Sequence, residues 1–285
     1  MFKKILVAVD GSESGFHALR QATSLARAEK GAIKIISVAP PHAGELSLVG
    51  VRQHVNDMII APHRKALDEA LEISEPYGVP ARTILEVGEP PDKIVETADE
   101  THSDLIVVGL RGRNPAKTLL MGSIAARVIG FSEVDVLAVP SKSEINLDRI
   151  LVAVDGSRSA ERAASVAFQL RESYGSALFV LSVANIPSHL YGLDPELADR
   201  MLKEARQVLD QFRTGSQSQE SNVPIDLLLR EGEPAECINQ VAMDKKVGMI
   251  IIGSHGRTGL KRLLMGSVAE RVLGHAPCPV LVTKS

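Results

Sequence analysis

Two small constellations in this chain carry residue types suited to holding a charged ligand, and each occurs twice. Asp10-Gly11-Ser12 ends one apolar run and Asp155-Gly156-Ser157 ends another. Gly109-x2-Gly112-x9-Gly122-Ser123 has its counterpart in Gly253-x2-Gly256-x9-Gly266-Ser267. Glycine reaches positive φ and lets backbone amides come close to a ligand. A glycine loop that runs into a helix start offers unpaired N–H donors and a favourable dipole, which suits phosphate. Ser123 and Ser267 add a hydroxyl donor. Arg113 and Lys117 in the first copy, and Arg257, Lys261 and Arg262 in the second, place positive charge nearby in sequence. An aspartate repels phosphate and suits the other end of a nucleotide, where ribose hydroxyls or an adenine amino group donate. A glycine loop for phosphate and an acidic turn for the nucleoside together make a nucleotide site.

Other chemistries fail on spacing. No G-x4-G-K-[ST] phosphate loop is present, and no G-x-G-x-x-G follows an apolar run. Gly11-Ser12-Glu13-Ser14-Gly15 has its serines in the wrong places for a nucleophile elbow. His255 has no nucleophile or acid beside it in sequence, and a solvent-facing loop position is expected for it. Structural roles stay open to the same residues. Asp10 and Asp155 would serve as helix caps, the glycines as close helix–sheet packing, and Ser123 and Ser267 as caps or packing residues.

The elements that must position these residues also come in duplicate. Asp10 and Asp155 are 145 residues apart, and Gly88-Glu89-Pro90 and Gly232-Glu233-Pro234 are 144 apart. Leu119-Leu120-Met121-Gly122-Ser123 and its copy starting at Leu263 are also 144 apart. A period this long is a whole domain written twice. The expected domains cover residues 1–141 and 148–285, joined by the polar stretch SKSEINLD. Apolar runs at 4–9, 33–38, 83–87, 105–108 and 136–139 read as strands, with helices over 13–29, 51–74, 91–100 and 116–129 between them. The second copy repeats this with strands at 149–154, 177–183, 225–229, 249–252 and 280–283. Its helices are expected over 160–173, 195–212, 234–243 and 260–273, with 214–222 as a loop. The strands are continuous and β-branched, as when both faces are buried. Strand and helix in alternation predict a mostly parallel sheet with helices on both sides. Ligands in such sheets sit beyond the carboxyl ends of the strands, where strand order reverses. Both constellations fall there.

Composition narrows the function further. The 285 residues are 45% hydrophobic, with 32 basic against 35 acidic side chains and a net charge of -3. That balance excludes a general nucleic-acid surface. Two cysteines, Cys237 and Cys278, give no disulfide framework, so a reducing, cytoplasmic compartment is expected. The opening MFKKILVAVDGSESG is too short in apolar residues for a signal peptide, and no run is long enough to span a membrane.

Strand-Asp-Gly-Ser followed by G-x2-G-x9-G-[ST] resembles the universal stress protein family, in its ATP-binding branch. The resemblance covers nearly the whole chain as two tandem domains, and extends to the closing His275-Ala-Pro-Cys-Pro-Val-Leu-Val. It implies two Rossmann-like α/β domains, each a five-stranded mostly parallel sheet with helices on both faces. It further implies a bound adenine nucleotide, such as ATP, with Mg2+ as an accompanying ion. Asp10 and Asp155 would contact the adenosine portion, with Gly11, Ser12, Gly156 and Ser157 in the same turns. Backbone at Val38 and Val183 would contact adenine. The loops of Gly109, Gly112, Arg113, Gly122 and Ser123, and of Gly253, His255, Gly256, Arg257, Gly266 and Ser267, would wrap ribose and phosphates. The family's final strands often pair, which implies an intrachain pseudo-dimer through residues 136–139 and 280–283; a homodimer is a further expectation. Copy one departs at Asn114-Pro115, where copy two has Thr258-Gly259; the proline offers one phosphate donor fewer. Binding that biases conformation or partner choice is the expected function. The alternatives are a slow ATPase, for which no water-positioning residue is evident, and an interaction module without nucleotide.

Overall fold

A computed structural model of the chain describes residues 1–41, 49–110, 122–215, 225–256 and 265–284, with side chains outside 49–56 and 213–215. The chain divides into two compact units, Met1–Lys142 and Ser143–Ser285. In the first, β1 (Lys4–Ala8), α1 (Glu13–Glu29), β2 (Ala32–Ala39), α2 (Val49–Ser74), β3 (Ala81–Val87), α3 (Pro90–Glu100), β4 (Leu105–Gly109), α4 (Ser123–Phe131) and β5 (Val136–Val139) follow in order. In the second, the order is β6 (Arg149–Ala153), α5 (Arg158–Tyr174), β7 (Ala177–Ala184), a helical turn α6 (Leu190–Leu193), α7 (Pro195–Gly215), β8 (Ile225–Glu231), α8 (Pro234–Asp244), β9 (Met249–Gly253), α9 (Ser267–His275) and β10 (Val280–Thr283).

Each unit holds a five-stranded sheet, ordered β3-β2-β1-β4-β5 in one and β8-β7-β6-β9-β10 in the other. The ladders that join these strands are parallel. From β1 the chain first steps outward to β2 and β3, then returns to β4 and β5 on the other side. Right-handed crossovers therefore put α1 and α2 on one face and α3 and α4 on the other. The contacts agree, since α1 packs on α2 and α3 on α4. The reversal beside β1 opens a crevice at its carboxyl end, and β6 repeats the arrangement in the second unit.

The apolar runs supply the core. Ile5, Leu6, Ile33, Ile35, Ile36, Leu105, Ile106 and Leu137 are fully buried in the first sheet, as are Ile150 and Leu151 in the second. Each such side chain is worth about 1.5–3 kcal/mol on burial. The α1 helix meets its sheet through Ala18, Leu19, Ala22, Leu25 and Ala26, spaced at one helical face. A stretch of Ala there lets the helix lie close to the strands.

Two expectations change. The helices foreseen over 116–129 and 260–273 begin only at Ser123 and Ser267, with Gly122 and Gly266 as extended N-cap residues (ψ 136° and 145°). Glycine is about 1 kcal/mol worse than alanine inside a helix, and both glycine amides bond elsewhere, as described below. Residues 116–121 and 260–264 lie outside the described ones. Within the segment after β7, Leu190–Leu193 forms one helical turn, and Asp194 caps α7 by accepting from Leu197 N–H at 2.9 Å. Thr214 and Gly215, read as loop, end α7, while the rest of that loop lies outside the described residues.

Candidate functional site

The Asp-Gly-Ser turns follow from local chemistry. Asp10 Oδ1 accepts from the Ser12 amide at 3.0 Å and from the Ser12 hydroxyl at 2.5 Å. Asp155 Oδ1 accepts from the Ser157 amide at 3.0 Å. These are Asx turns. The residue between must enter the left-handed region, and Gly11 and Gly156 do so at φ 78° and 82°. The helix cap is the serine, not the aspartate. Ser12 Oγ accepts from Gly15 N–H at 3.1 Å and Ser157 Oγ from Ala160 N–H at 3.2 Å. The serine thus satisfies one N-terminal amide of α1 and one of α5. Both carboxylates stay half-buried at the strand ends.

Beside these turns stand Val38 and Val183. Val9 N–H bonds the Ile36 carbonyl at 2.9 Å, and Val154 N–H bonds the Leu181 carbonyl at 2.8 Å. Alternate residues of a parallel strand direct their amide and carbonyl to the same neighbour. Val38 and Val183, two residues on, therefore direct theirs to the side of β1 and β6. Those strands have by then turned away at Asp10 and Asp155. The backbone groups of Val38 and Val183 thus point to the side on which the acidic turns lie.

The glycines divide by role. A Cβ on Gly109 would lie 2.7 Å from the Ser14 carbonyl oxygen, and one on Gly253 would lie 2.6 Å from Ser159 Oγ. These first glycines let the start of α1 or α5 press against the end of β4 or β9, which is the packing role. Gly256 is different: a Cβ there would meet Asp155 Oδ2 at 2.9 Å. The second glycine and the acidic turn therefore share one space in the second domain. Gly122 N–H bonds the Leu110 carbonyl at 2.8 Å and Gly266 N–H bonds the Ser254 carbonyl at 2.9 Å. Each loop is drawn back to the strand it left, and delivers its helix start to the strand ends. Neither α4 nor α9 receives a side-chain cap at its N-terminus. Among the described residues no side chain bonds their first amides, in contrast to α1 and α5. Gly112, Arg113, Arg257 and the neighbouring Arg111, Lys117, Lys261 and Arg262 lie outside the described residues, as do Asn114-Pro115 and Thr258-Gly259.

His255 departs from the solvent-facing position expected of it. It is half-buried, its Nδ1 lies 3.0 Å from Ser254 Oγ, and its Nε2 is shielded from solvent without a hydrogen-bond partner among the described residues. Its carbonyl accepts from the Ser159 hydroxyl. Ser14 and Ser159, passed over in the sequence, help build the junction between first helix and fourth strand of each domain. Their recurrence 145 residues apart was the available signal. Among the described residues no group of three or more His, Cys, Asp or Glu is placed to hold a metal ion. Both thiols are free. Burial pushes the Cys278 thiol up to about 12, and burial followed by the charges of Glu233 and Glu236 raises Cys237. Neither thiol is activated.

Known proteins share this architecture. A universal stress protein of Methanocaldococcus jannaschii is 33% identical over 141 residues, covering 48% of this chain and 81% of its own length. One from Mycolicibacterium smegmatis is 24% identical over 288 residues, covering 98% of this chain and 96% of its own. The crystal structure of a universal stress protein from Archaeoglobus fulgidus superposes with a TM-score of 0.73 at 24% identity, spanning 99% of this chain and 98% of that one. No described helix is long and apolar enough to cross a membrane. The profile of the universal stress protein family matches residues 1–140 and again 146–284, and the chain belongs to that family, carrying its domain twice.

Proposed function

We propose that each domain binds an adenine nucleotide, ATP in the first instance, and that occupancy regulates conformation or partner choice. The observation that carries this is the pair of helix starts at Gly122-Ser123 and Gly266-Ser267, without a side-chain cap among the described residues and drawn back to the ends of β4 and β9. The amides of a helix start and the helix dipole suit phosphate. In the second domain the carboxylate of Asp155, against Gly256, suits ribose hydroxyls, and the backbone of Val183 suits an adenine edge. The residues fit the nucleotide at both of its ends, and Mg2+ would arrive with the phosphates. Two free thiols support a reducing, cytoplasmic location. The near-neutral charge favours a small-molecule ligand over nucleic acid.

The test is a calorimetric titration of Mg-ATP into nucleotide-stripped protein. Two equivalents per chain are expected. In the Gly266→Val variant one equivalent should remain, because even a Cβ would stand 3.2 Å from the Ser254 carbonyl oxygen. An unchanged stoichiometry would remove the second domain from the nucleotide reading, and no binding by folded parent protein would leave an interaction module.

A further inference from the structure

The Gly-Glu-Pro turn recurs in both domains, yet nucleotide binding as described gives it no part. Its geometry does. In the second domain Glu233 is the N-cap of α8, where Oε2 accepts from Glu236 N–H at 2.9 Å. Its other oxygen, Oε1, is shielded from solvent and forms an ion pair with Arg271 Nη2 at 2.7 Å, outside hydrogen-bond geometry. Arg271 belongs to the second turn of α9 and donates from Nε to the Ser267 carbonyl at 3.3 Å. One glutamate therefore ties the start of α8 to an arginine that grips the first residue of α9. The two helices also pack on each other. Ser267 is the first residue of α9, at the helix start that has no side-chain cap among the described residues.

A cation close to a helix N-terminus opposes the macrodipole, so an arginine there calls for a compensating role. Glu233 offsets its charge, and the linkage restrains the helix start against rotation and slippage. Preorganised donors lose less on binding than donors that must be ordered. The first domain keeps the residues but loosens the link. Glu89 Oε2 stands 3.6 Å from Arg127 Nη1, and Glu89 makes no side-chain cap. Arg127 turns instead to Asp92 at 3.3 Å, with its guanidinium 5.7 Å from the centre of the Phe131 ring.

We propose that Glu233 and Arg271 are positioning residues for a nucleotide at Gly266 and Ser267, and that this strap makes the second domain the tighter of the two sites. The proposal rests on the nucleotide reading above. It extends the site to a motif that lies on another helix, and it assigns the difference between the sites to side chains that touch no ligand.

The experiment uses the full chain with the first site closed by Gly122→Val, titrated with Mg-ATP well below the melting temperature. Glu233→Gln and Arg271→Gln are each expected to weaken binding about 3- to 10-fold. The double variant should be no weaker than either single one, because both remove the same link. Arg271→Lys, which keeps the charge but cannot reach both partners, should fall between. Hydrogen exchange in the ligand-free protein gives an independent reading. The amides of Glu270 to Leu273 should exchange faster in Glu233→Gln than in the parent, beginning with Glu270, whose N–H bonds the Gly266 carbonyl at 3.0 Å. Unchanged affinity in both single variants overturns the proposal, as do losses that multiply in the double variant. A lower melting temperature at constant affinity reduces the strap to a stability element and overturns it too. If the parent binds no Mg-ATP, the nucleotide reading fails, and the positioning role fails with it. The exchange data then decide separately whether the strap orders α9.

Discussion

The two domains solve the same backbone problem identically and the side-chain problem differently. Gly122 and Gly266 close their loops with hydrogen bonds of 2.8 and 2.9 Å, and Gly11 and Gly156 turn at φ 78° and 82°. Side chains around this frame have drifted. Asp10 holds both the amide and the hydroxyl of Ser12. In the second domain the Ser157 hydroxyl lies instead 3.2 Å from Ser159 Oγ and 3.5 Å from the His255 carbonyl. Gly15 leaves only 3.1 Å between a Cβ and Asp10 Oδ1, whereas Ala160 carries that methyl group. The Glu–Arg link tightens from 3.6 to 2.7 Å. Backbone hydrogen bonds are set by the topology and cannot be traded one residue at a time. Side-chain networks can, and duplication lets one copy change while the other holds.

The largest expected effect tests the shared frame. Gly109→Ala and Gly253→Ala should each destabilise their own domain by about 1–3 kcal/mol through overpacking, read as a fall in melting temperature. A loss in one domain alone would break the equivalence of the two junctions. Next come the acidic turns. Asp10→Asn and Asp155→Asn keep an acceptor for the Asx turn, so both variants should fold. Each should lose about tenfold in Mg-ATP affinity at its own site as a charge-assisted hydrogen bond is removed. A smaller change is expected from the caps. Ser12→Ala and Ser157→Ala should each cost about 1 kcal/mol, the former more, since Ser12 also serves Asp10.

The smallest effect at neutral pH belongs to Cys278. Its folded thiol is pushed up to about 12 from a usual value of 9.0. The stability tied to it is therefore complete below pH 9 and is lost as pH rises from 9 toward 12. The first domain has Val134 at the corresponding position. Alkaline melting curves should show the second domain weakening by on the order of 1 kcal/mol by pH 10, and Cys278→Ala should remove that slope. A matching slope in the first domain would remove the assignment to this thiol.

Much of the fold was legible because its signals are local. Continuous β-branched runs such as KILVA and RILVA, with alanine-rich helix faces between them, admit little besides a parallel sheet covered on both sides. The candidate site was legible as a set of positions, less so as a set of jobs. The first glycines of the loops read as ligand contacts, yet Gly109 and Gly253 are explained by serines more than 90 residues away in sequence. The alternative role of Asp10 and Asp155 as caps falls instead to the next residue but one. Gly122 and Gly266 stand at the starts of helices expected to run through them, and their amides answer carbonyls across the loop. The Glu233–Arg271 link spans two helices, and only the repeat offset hinted at it. Short-range patterns reveal elements, while a residue's role depends on which distant neighbour the topology delivers.

The hydrogen bonds that draw Gly122 to Leu110 and Gly266 to Ser254 have a consequence for divergence. Each bond fixes both ends of an eleven-residue span, 111–121 or 255–265, to the same strand. With the ends anchored, lengthening such a span costs little in closure entropy, about 0.6 kcal/mol per doubling. The intervening stretch becomes an exchangeable cassette, joined at both ends, whose sequence can change in charge and length. A protein with two such cassettes in one chain can hold one ligand preference constant while selection, or an engineer, explores another beside it.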